Sequence, residues 1–288
     1  MKFADIPGGD LPPDPPAMAG HSRHEVLRAG RHTASYAERD ELAQEVPVAL
    51  EYNGISHAVL LATPADLEDL AYGFSFTEGI IRSATDLHDL EIMETPKGMV
   101  IQATIASACL NALKLRRRSL TGRTGCGLCG LESLDEVRRA LPALAARPAS
   151  HDSTAIARAV EQLRASQALH LLTGATHAAG WADSAGDILH VREDVGRHNA
   201  LDKLIGHMLR RSLDATSGIT VISSRASFEM VQKAASAGMS ALVAVSAPTT
   251  YAVAMAEELN VLLAGFARDN QFTVYSHPEY LGNKGGQP

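Results

Sequence analysis

The 288-residue chain is 45% hydrophobic and sets 26 lysines and arginines against 33 aspartates and glutamates, a formal net charge of −7. That supplies apolar mass for one large or two modest domains, and the acidic balance argues against a nucleic-acid partner. No apolar stretch approaches the roughly 18 residues of a membrane-spanning helix, and the start lacks the charged and apolar regions of a secretory signal. No membrane partner and a cytoplasmic location are therefore expected, and three cysteines, an odd number, suit a reducing compartment better than a disulfide framework.

In chain order, the proline- and glycine-rich start predicts a disordered tail over residues 1–25, with too few apolar groups to offset the entropy of ordering. Residues 26–115 read as a small α+β domain. Within it, two β-rich runs at 45–52 and 55–62 flank Asn53-Gly54, the signature of a tight hairpin. Thr63-Pro64 with Asp66 and Glu68 predicts a helix opened by a hydroxyl cap and ending near Gly79, followed by strand-like segments at 90–93 and 99–105. Residues 116–130 read as a basic, glycine-rich connector.

Helices are expected over 131–146 and, capped by Asp152-Ser153, over 154–167. Strands follow at 168–173 and 186–192, a helix at 195–211 behind a capping Asp194, a strand at 219–223 and a helix at 228–237. A strand at 241–245, a helix at 251–259 and strands at 261–266 and 272–275 close the chain. This alternation predicts an α/β domain over 131–288, a mixed or partly parallel sheet covered on both faces in three layers.

The connector holds Gly122-Arg123-Thr124-Gly125-Cys126-Gly127-Leu128-Cys129-Gly130, four glycines and two cysteines in nine residues. Such a run disfavours regular helix or strand and predicts an exposed loop. Lys114, Arg116, Arg117, Arg118 and Arg123 stand beside it, and neighbouring cations favour the nucleophilic thiolate. Competing readings are a zinc site, for which only Cys109 and scattered histidines could complete four ligands, a redox dithiol, whose helix start the glycines deny, and an incidental surface pair.

Ligands of open α/β sheets sit beyond the carboxyl ends of the strands. Ser223-Ser224-Arg225-Ala226-Ser227, Ser246-Ala247-Pro248-Thr249-Thr250 and Arg268-Asp269-Asn270-Gln271 follow three expected strands, and together they point to a phosphorylated ligand rather than to helix caps and turns alone. Arg197, His198 and Asn199 start an expected helix, where they serve either local ion pairs or a ligand, and an isolated histidine such as His177 is more often structural.

Three stretches carry a family resemblance: Glu-Asp-Val-Gly-Arg-His-Asn-Ala-Leu-Asp-Lys at 193–203, Thr-Gly-Cys-Gly-Leu-Cys-Gly at 124–130 and Ser-Ser-Arg-Ala-Ser-Phe-Glu-Met-Val-Gln-Lys at 223–233. With further matches from about residue 33 to 282, the sequence resembles the FdhD family of formate dehydrogenase accessory sulfurtransferases. The resemblance implies a sulfur carrier that takes sulfur as a persulfide from a cysteine desulfurase and passes it to the molybdenum cofactor of formate dehydrogenase. It places the persulfide on Cys126 and the second motif cysteine at Cys129. It assigns the bis(molybdopterin guanine dinucleotide) cofactor, with GDP as a mimic, to Phe266, Ala267, Arg268, Asp269, Asn270 and Gln271. It also implies a cytidine-deaminase-like core, a homodimer, and contact with the formate dehydrogenase catalytic subunit.

Deamination itself is excluded, because a zinc deaminase needs His-x-Glu followed by Pro-Cys-x-x-Cys. Here His177 is followed by Ala178 and Ala179, and the Cys-x-x-Cys lies upstream. The alternative to a sulfurtransferase is a non-catalytic chaperone of the cofactor whose cysteines sense redox state or contact metal.

Overall fold

The computed structural model describes residues 20–31, 33–121, 138–147 and 150–282, and of residues 33, 34 and 116–121 the backbone alone. Arg123, Cys126 and Cys129 lie outside the described residues. The chain opens with a two-stranded antiparallel ribbon, β1 (His21–Gly30) and β2 (Thr33–Ala43). A four-stranded sheet follows, built from β3 (Val46–Tyr52), β4 (Ile55–Ala62), β5 (Leu87–Thr95) and β6 (Gly98–Ile105) in the order β4-β3-β6-β5. The Asn53-Gly54 hairpin is present, with both residues at positive φ (49° and 75°), as a tight turn between twisted strands requires. Helices α1 (Leu67–Thr77) and α2 (Ser107–Thr121) pack on this sheet; Cys109 and Leu113, four residues apart, enter its core beside Leu50, Tyr52 and Phe74.

The second sheet has six strands in the order β13-β12-β11-β10-β8-β9: β8 (His177–Ala182), β9 (Ile188–Asp194), β10 (Ile219–Ile222), β11 (Ala241–Ala244), β12 (Leu262–Arg268) and β13 (Gln271–Ser276). The three central strands β10, β11 and β12 are parallel, and the remaining pairs are antiparallel. Alternation along these short strands makes the layers. Ile219, Val221, Ala241, Val243, Leu262 and Ala264 meet α3 (Ser153–Ser166) on one face. Ile222, Leu242, Ala244 and Leu263 meet α5 (Arg197–Arg210), α6 (Phe228–Ser236) and α7 (Thr250–Leu259) on the other. A minor parallel pair, β7 (His151–Asp152) and β14 (Leu281–Gly282), ties the end of the described chain to the start of α3.

Several expectations change. Strand β1 already includes residues 21–25, so the tail ends earlier than composition suggests. Ser107–Thr121 is one helix, which places the basic run of Lys114 to Arg118 on its last turns rather than in a loop; alanine, leucine, lysine and arginine favour that state. Residues 138–146, the described part of the expected 131–146 helix, are irregular. Residues 168–173 form helix α4 (Ala168–Thr173) instead of a strand, because the carboxylate of Glu193 accepts the Leu169 and His170 amides, both at 2.8 Å, and Gly174 closes the turn at φ 68°. Strand β8 had no counterpart in the sequence reading. Asp66, in a left-handed conformation and without a capping bond, precedes α1, so Thr63 is not its cap. Gly196, not Asp194, occupies the N-cap position of α5.

Candidate functional site

The densest polar stretch, 193–203, is largely a joint. Helices α1 and α5 run antiparallel and touch through glycine: a Cβ on Gly73 would lie 1.7 Å from the Asp202 carbonyl oxygen, and one on Gly206 would lie 1.8 Å from that of Asp69. Charges lock both ends of this crossing. At one end Arg192 Nε donates to Asp69 Oδ2 at 2.8 Å and Arg210 Nη1 to Asp69 Oδ1 at 2.6 Å. At the other, Lys233 Nζ donates to both oxygens of Asp202 (3.0 and 2.9 Å) and to Thr77 Oγ1 (2.9 Å). Burial works to lower the Lys233 ammonium, but Asp202 and Glu78 outweigh it and hold it above the ordinary lysine value.

Beside the crossing, Lys203 and Asp194 form an ion pair of 2.6 Å with both side chains 0% exposed. Lys203 also donates to the Thr63 carbonyl at 3.0 Å, while Asp194 accepts the Thr63 amide at 3.0 Å. Asn199 reaches Leu61 O at 2.8 Å and Asp194 Oδ1 at 3.0 Å. Thr63 is thus gripped from α5 and β9, which is why it leaves α1 uncapped. Of the three residues Arg197, His198 and Asn199, the last is fully engaged in structure.

The open site lies elsewhere. A cleft of about 820 Å³ is walled by Arg164 of α3, His170 of α4, His177 of β8, Ser223 after β10, Val245 after β11 and the turn after β12. It sits at the carboxyl ends of all three parallel strands. The turn is Asp269-Asn270, at φ 52° and 60° between the paired Arg268 and Gln271, the backbone of a two-residue hairpin whose positive φ values asparagine and aspartate tolerate. Ala267, Arg268, Asp269 and Asn270 join the cleft wall. Phe266 and Gln271 are exposed and do not join it. Phe266 is a non-glycine residue at φ 52° in the bulge before the turn, 46% exposed, with its amide donating to Ser246 O at 3.1 Å.

On the opposite wall, burial first, and then the neighbouring Arg197 and His170, lower the His177 pKa against the pull of Asp194, which favours the neutral ring. Ser223 Oγ accepts the Ala178 amide at 2.9 Å. Ser224 Oγ donates to Arg225 O at 3.0 Å, and Thr249 caps α7 by accepting the Ala252 amide at 3.2 Å. Ser224 and Thr249 therefore have structural employment and do not line the cleft, whereas Ser223 does. Sequence reasoning missed Arg164 and His170. The first looks like any charged face residue of an amphipathic helix, and the second lay in a segment read as a strand. Cys109, weighed above as a candidate zinc ligand, is buried in the core of the four-stranded sheet.

Fold and cleft together define an α/β protein with a mixed sheet and a ligand-sized opening at the strand ends. The model of the FdhD/NarQ family matches residues 43–281, and the chain belongs to that family. It is 55% identical over 257 residues to the sulfur carrier protein FdhD of Bordetella petrii, an alignment covering 89% of this chain and 92% of the relative. It is 52% identical over 272 residues to that of Cupriavidus necator, covering 92% and 94%. Among solved structures, a protein from Desulfotalea psychrophila, provisionally assigned as a formate dehydrogenase accessory protein, superposes with a TM-score of 0.69 at 21% identity, over 91% of this chain and 99% of that one. At that identity the likeness shows the fold.

Proposed function

We infer that this chain is a sulfurtransferase, a sulfur carrier for the maturation of formate dehydrogenase. Membership of the FdhD/NarQ family across residues 43–281, a span that includes both loop cysteines, is the observation that carries the inference. Cys126 is the acceptor. Its thiolate attacks the outer sulfur of a persulfide on a cysteine desulfurase, the donor thiolate leaves, and Cys126 holds the sulfur as its own persulfide. Attack of the Cys129 thiolate on the inner sulfur then releases the outer one as sulfide for the molybdenum cofactor. This leaves a Cys126–Cys129 disulfide, which an external dithiol reduces before the next turnover.

The guanine nucleotide end of bis(molybdopterin guanine dinucleotide), or GDP in its place, binds in the cleft at the 266–271 turn. Arg268 meets a phosphate, Asp269 accepts from the guanine edge, and the exposed Phe266 ring is available for stacking on the base. The same proposal includes a cytidine-deaminase-like core for the six-stranded sheet, an N-terminal α+β domain ahead of the α/β domain at 131–288, a cytoplasmic location, and a homodimer that meets the desulfurase and the formate dehydrogenase catalytic subunit. Exposed Leu27, Tyr36 and Leu42 on the ribbon favour a protein contact.

Intact mass after incubation with a desulfurase and cysteine tests the chemistry. A gain of about 32 Da, reversed by a reductant and absent in Cys126→Ala, is expected. A Cys126→Ala variant that still matures formate dehydrogenase at the wild-type rate would favour the non-catalytic chaperone.

A further inference from the structure

Two helix starts meet on the face of the sheet away from α3. His198, the second residue of α5, places its Nε2 2.8 Å from Oε2 of Glu229, the second residue of α6, without being aligned to donate to it. Helix starts leave their first amides unpaired and carry partial positive charge. Two other polar groups there lack partners among the described residues. Ser227 stands at the N-cap of α6 and is only 8% exposed, yet its hydroxyl neither caps the helix nor finds any acceptor or donor among the described residues. Arg197, the first residue of α5, has a buried Nε that is likewise unanswered. A buried polar group without a partner costs about 1–3 kcal/mol, so several gathered at one place indicate a missing acceptor.

We propose that the paired starts of α5 and α6 form a second anion site, distinct from the cleft, for a tetrahedral oxyanion: a phosphate or oxometallate, free or carried by a longer ligand. Arg197 supplies charge, Ser227 and His198 supply donors, and the helix amides complete the cradle. Arg225 lies exposed on the loop that enters α6 and adds a second cation. Glu229 is the competing anion. Its side chain is 46% exposed and can swing into water when the site fills. The Arg139 amide, close to where the described chain resumes after the cysteine segment, donates to Gln232 Oε1 at 2.8 Å, one turn along α6 from Glu229.

This site is independent of whether the cleft takes a nucleotide. Calorimetry with inorganic phosphate and with molybdate tests it on the full chain, with GDP as the probe of the cleft. Ser227→Ala and Arg197→Gln are each expected to weaken phosphate binding about tenfold while leaving GDP affinity as in wild type. Glu229→Gln is expected to tighten phosphate binding severalfold, a gain that no folding defect can imitate. Phosphate bound by wild type and Arg268→Ala alike keeps the two sites separate. The proposal is overturned if neither phosphate nor molybdate binds at millimolar concentration, if the Ser227 and Arg197 variants bind as wild type does, or if Arg268→Ala abolishes phosphate binding. A GDP affinity that falls in the Ser227 and Arg197 variants as well would assign the oxyanion to the nucleotide itself and overturn the separation.

Discussion

The α1–α5 crossing and the cleft at the β12–β13 turn are written in the same alphabet of arginine, aspartate, asparagine and histidine, yet they have opposite fates. At the crossing, charged groups are answered from within: Asp69 by Arg192 and Arg210, Asp202 by Lys233, Asp194 by Lys203. At the turn, Arg268, Asp269 and Asn270 project into water and a wide cleft. A polar motif thus serves architecture where its partners are built in and binding where they are left to a ligand. In this chain the longer and more conspicuous motif is chiefly the architectural one.

The strongest way to break this comparison is to remove one half of an internal pair. Lys203→Met keeps the volume but strands the Asp194 carboxylate in a fully buried site, and the loss of one partner of a buried pair costs about 3–5 kcal/mol. Urea denaturation is expected to show that loss. A change under about 1 kcal/mol would mean that the pair is not closed as described.

Gly73→Ala is the next test. In an ordinary helix this substitution stabilises by about 1 kcal/mol. Here the new Cβ meets the backbone oxygen of Asp202 at 1.7 Å, which no side-chain motion relieves. The helices must separate, with a cost of about 2–3 kcal/mol. Stabilisation instead would show that α1 and α5 are not in backbone contact.

Arg268→Ala sharpens the other side. Among the described residues the exposed side chain has no partner to lose, so stability is expected to stay within about 0.5 kcal/mol of wild type. GDP binding, in contrast, should weaken ten- to a hundredfold as a charge-assisted phosphate contact disappears. Wild-type affinity in this variant would move the nucleotide elsewhere.

Much of this arrangement was legible in the sequence. Short apolar runs at 219–222, 241–244 and 262–268, alternating with helical stretches, and the Asn53-Gly54 turn are local patterns, and they led to the right elements. The 168–173 segment misled because Ala-Leu-His-Leu-Leu-Thr has no periodicity that separates strand from helix over six residues. Its state is decided by Glu193, more than 20 residues away, accepting two of its amides. The cap assigned to Thr63 failed for the same reason, since its hydroxyl and amide answer to Val195 and Asp194. The turn at 266–271 was located through family resemblance. Its cleft partners Arg164 and His170 come from helices that no local signal connects to it.

The smallest expected effect is a pH dependence at the crossing. Arg192 donates to His207 Nδ1, so His207 carries its proton on Nε2 and gives it to His190 Nδ1 at 3.2 Å, an arrangement that requires both rings to be neutral. Burial and the adjacent arginines lower both histidines below the ordinary 6.5, with Asp69 opposing at His207 alone. Between the lowered folded values and 6.5 the unfolded chain binds more protons than the folded one, so stability rises with pH. The contribution is complete above 6.5 and is lost as pH falls through that value towards the folded pKa. The urea midpoint should therefore be flat from pH 8 to 7 and decline from 6.5 to 5.5. Part of that decline should disappear in a His190→Gln, His207→Gln double variant, the remainder belonging to His151, His177 and His198, which burial also lowers. An unchanged slope in the double variant would show that the two rings titrate freely in water, and that this end of the crossing is open rather than closed.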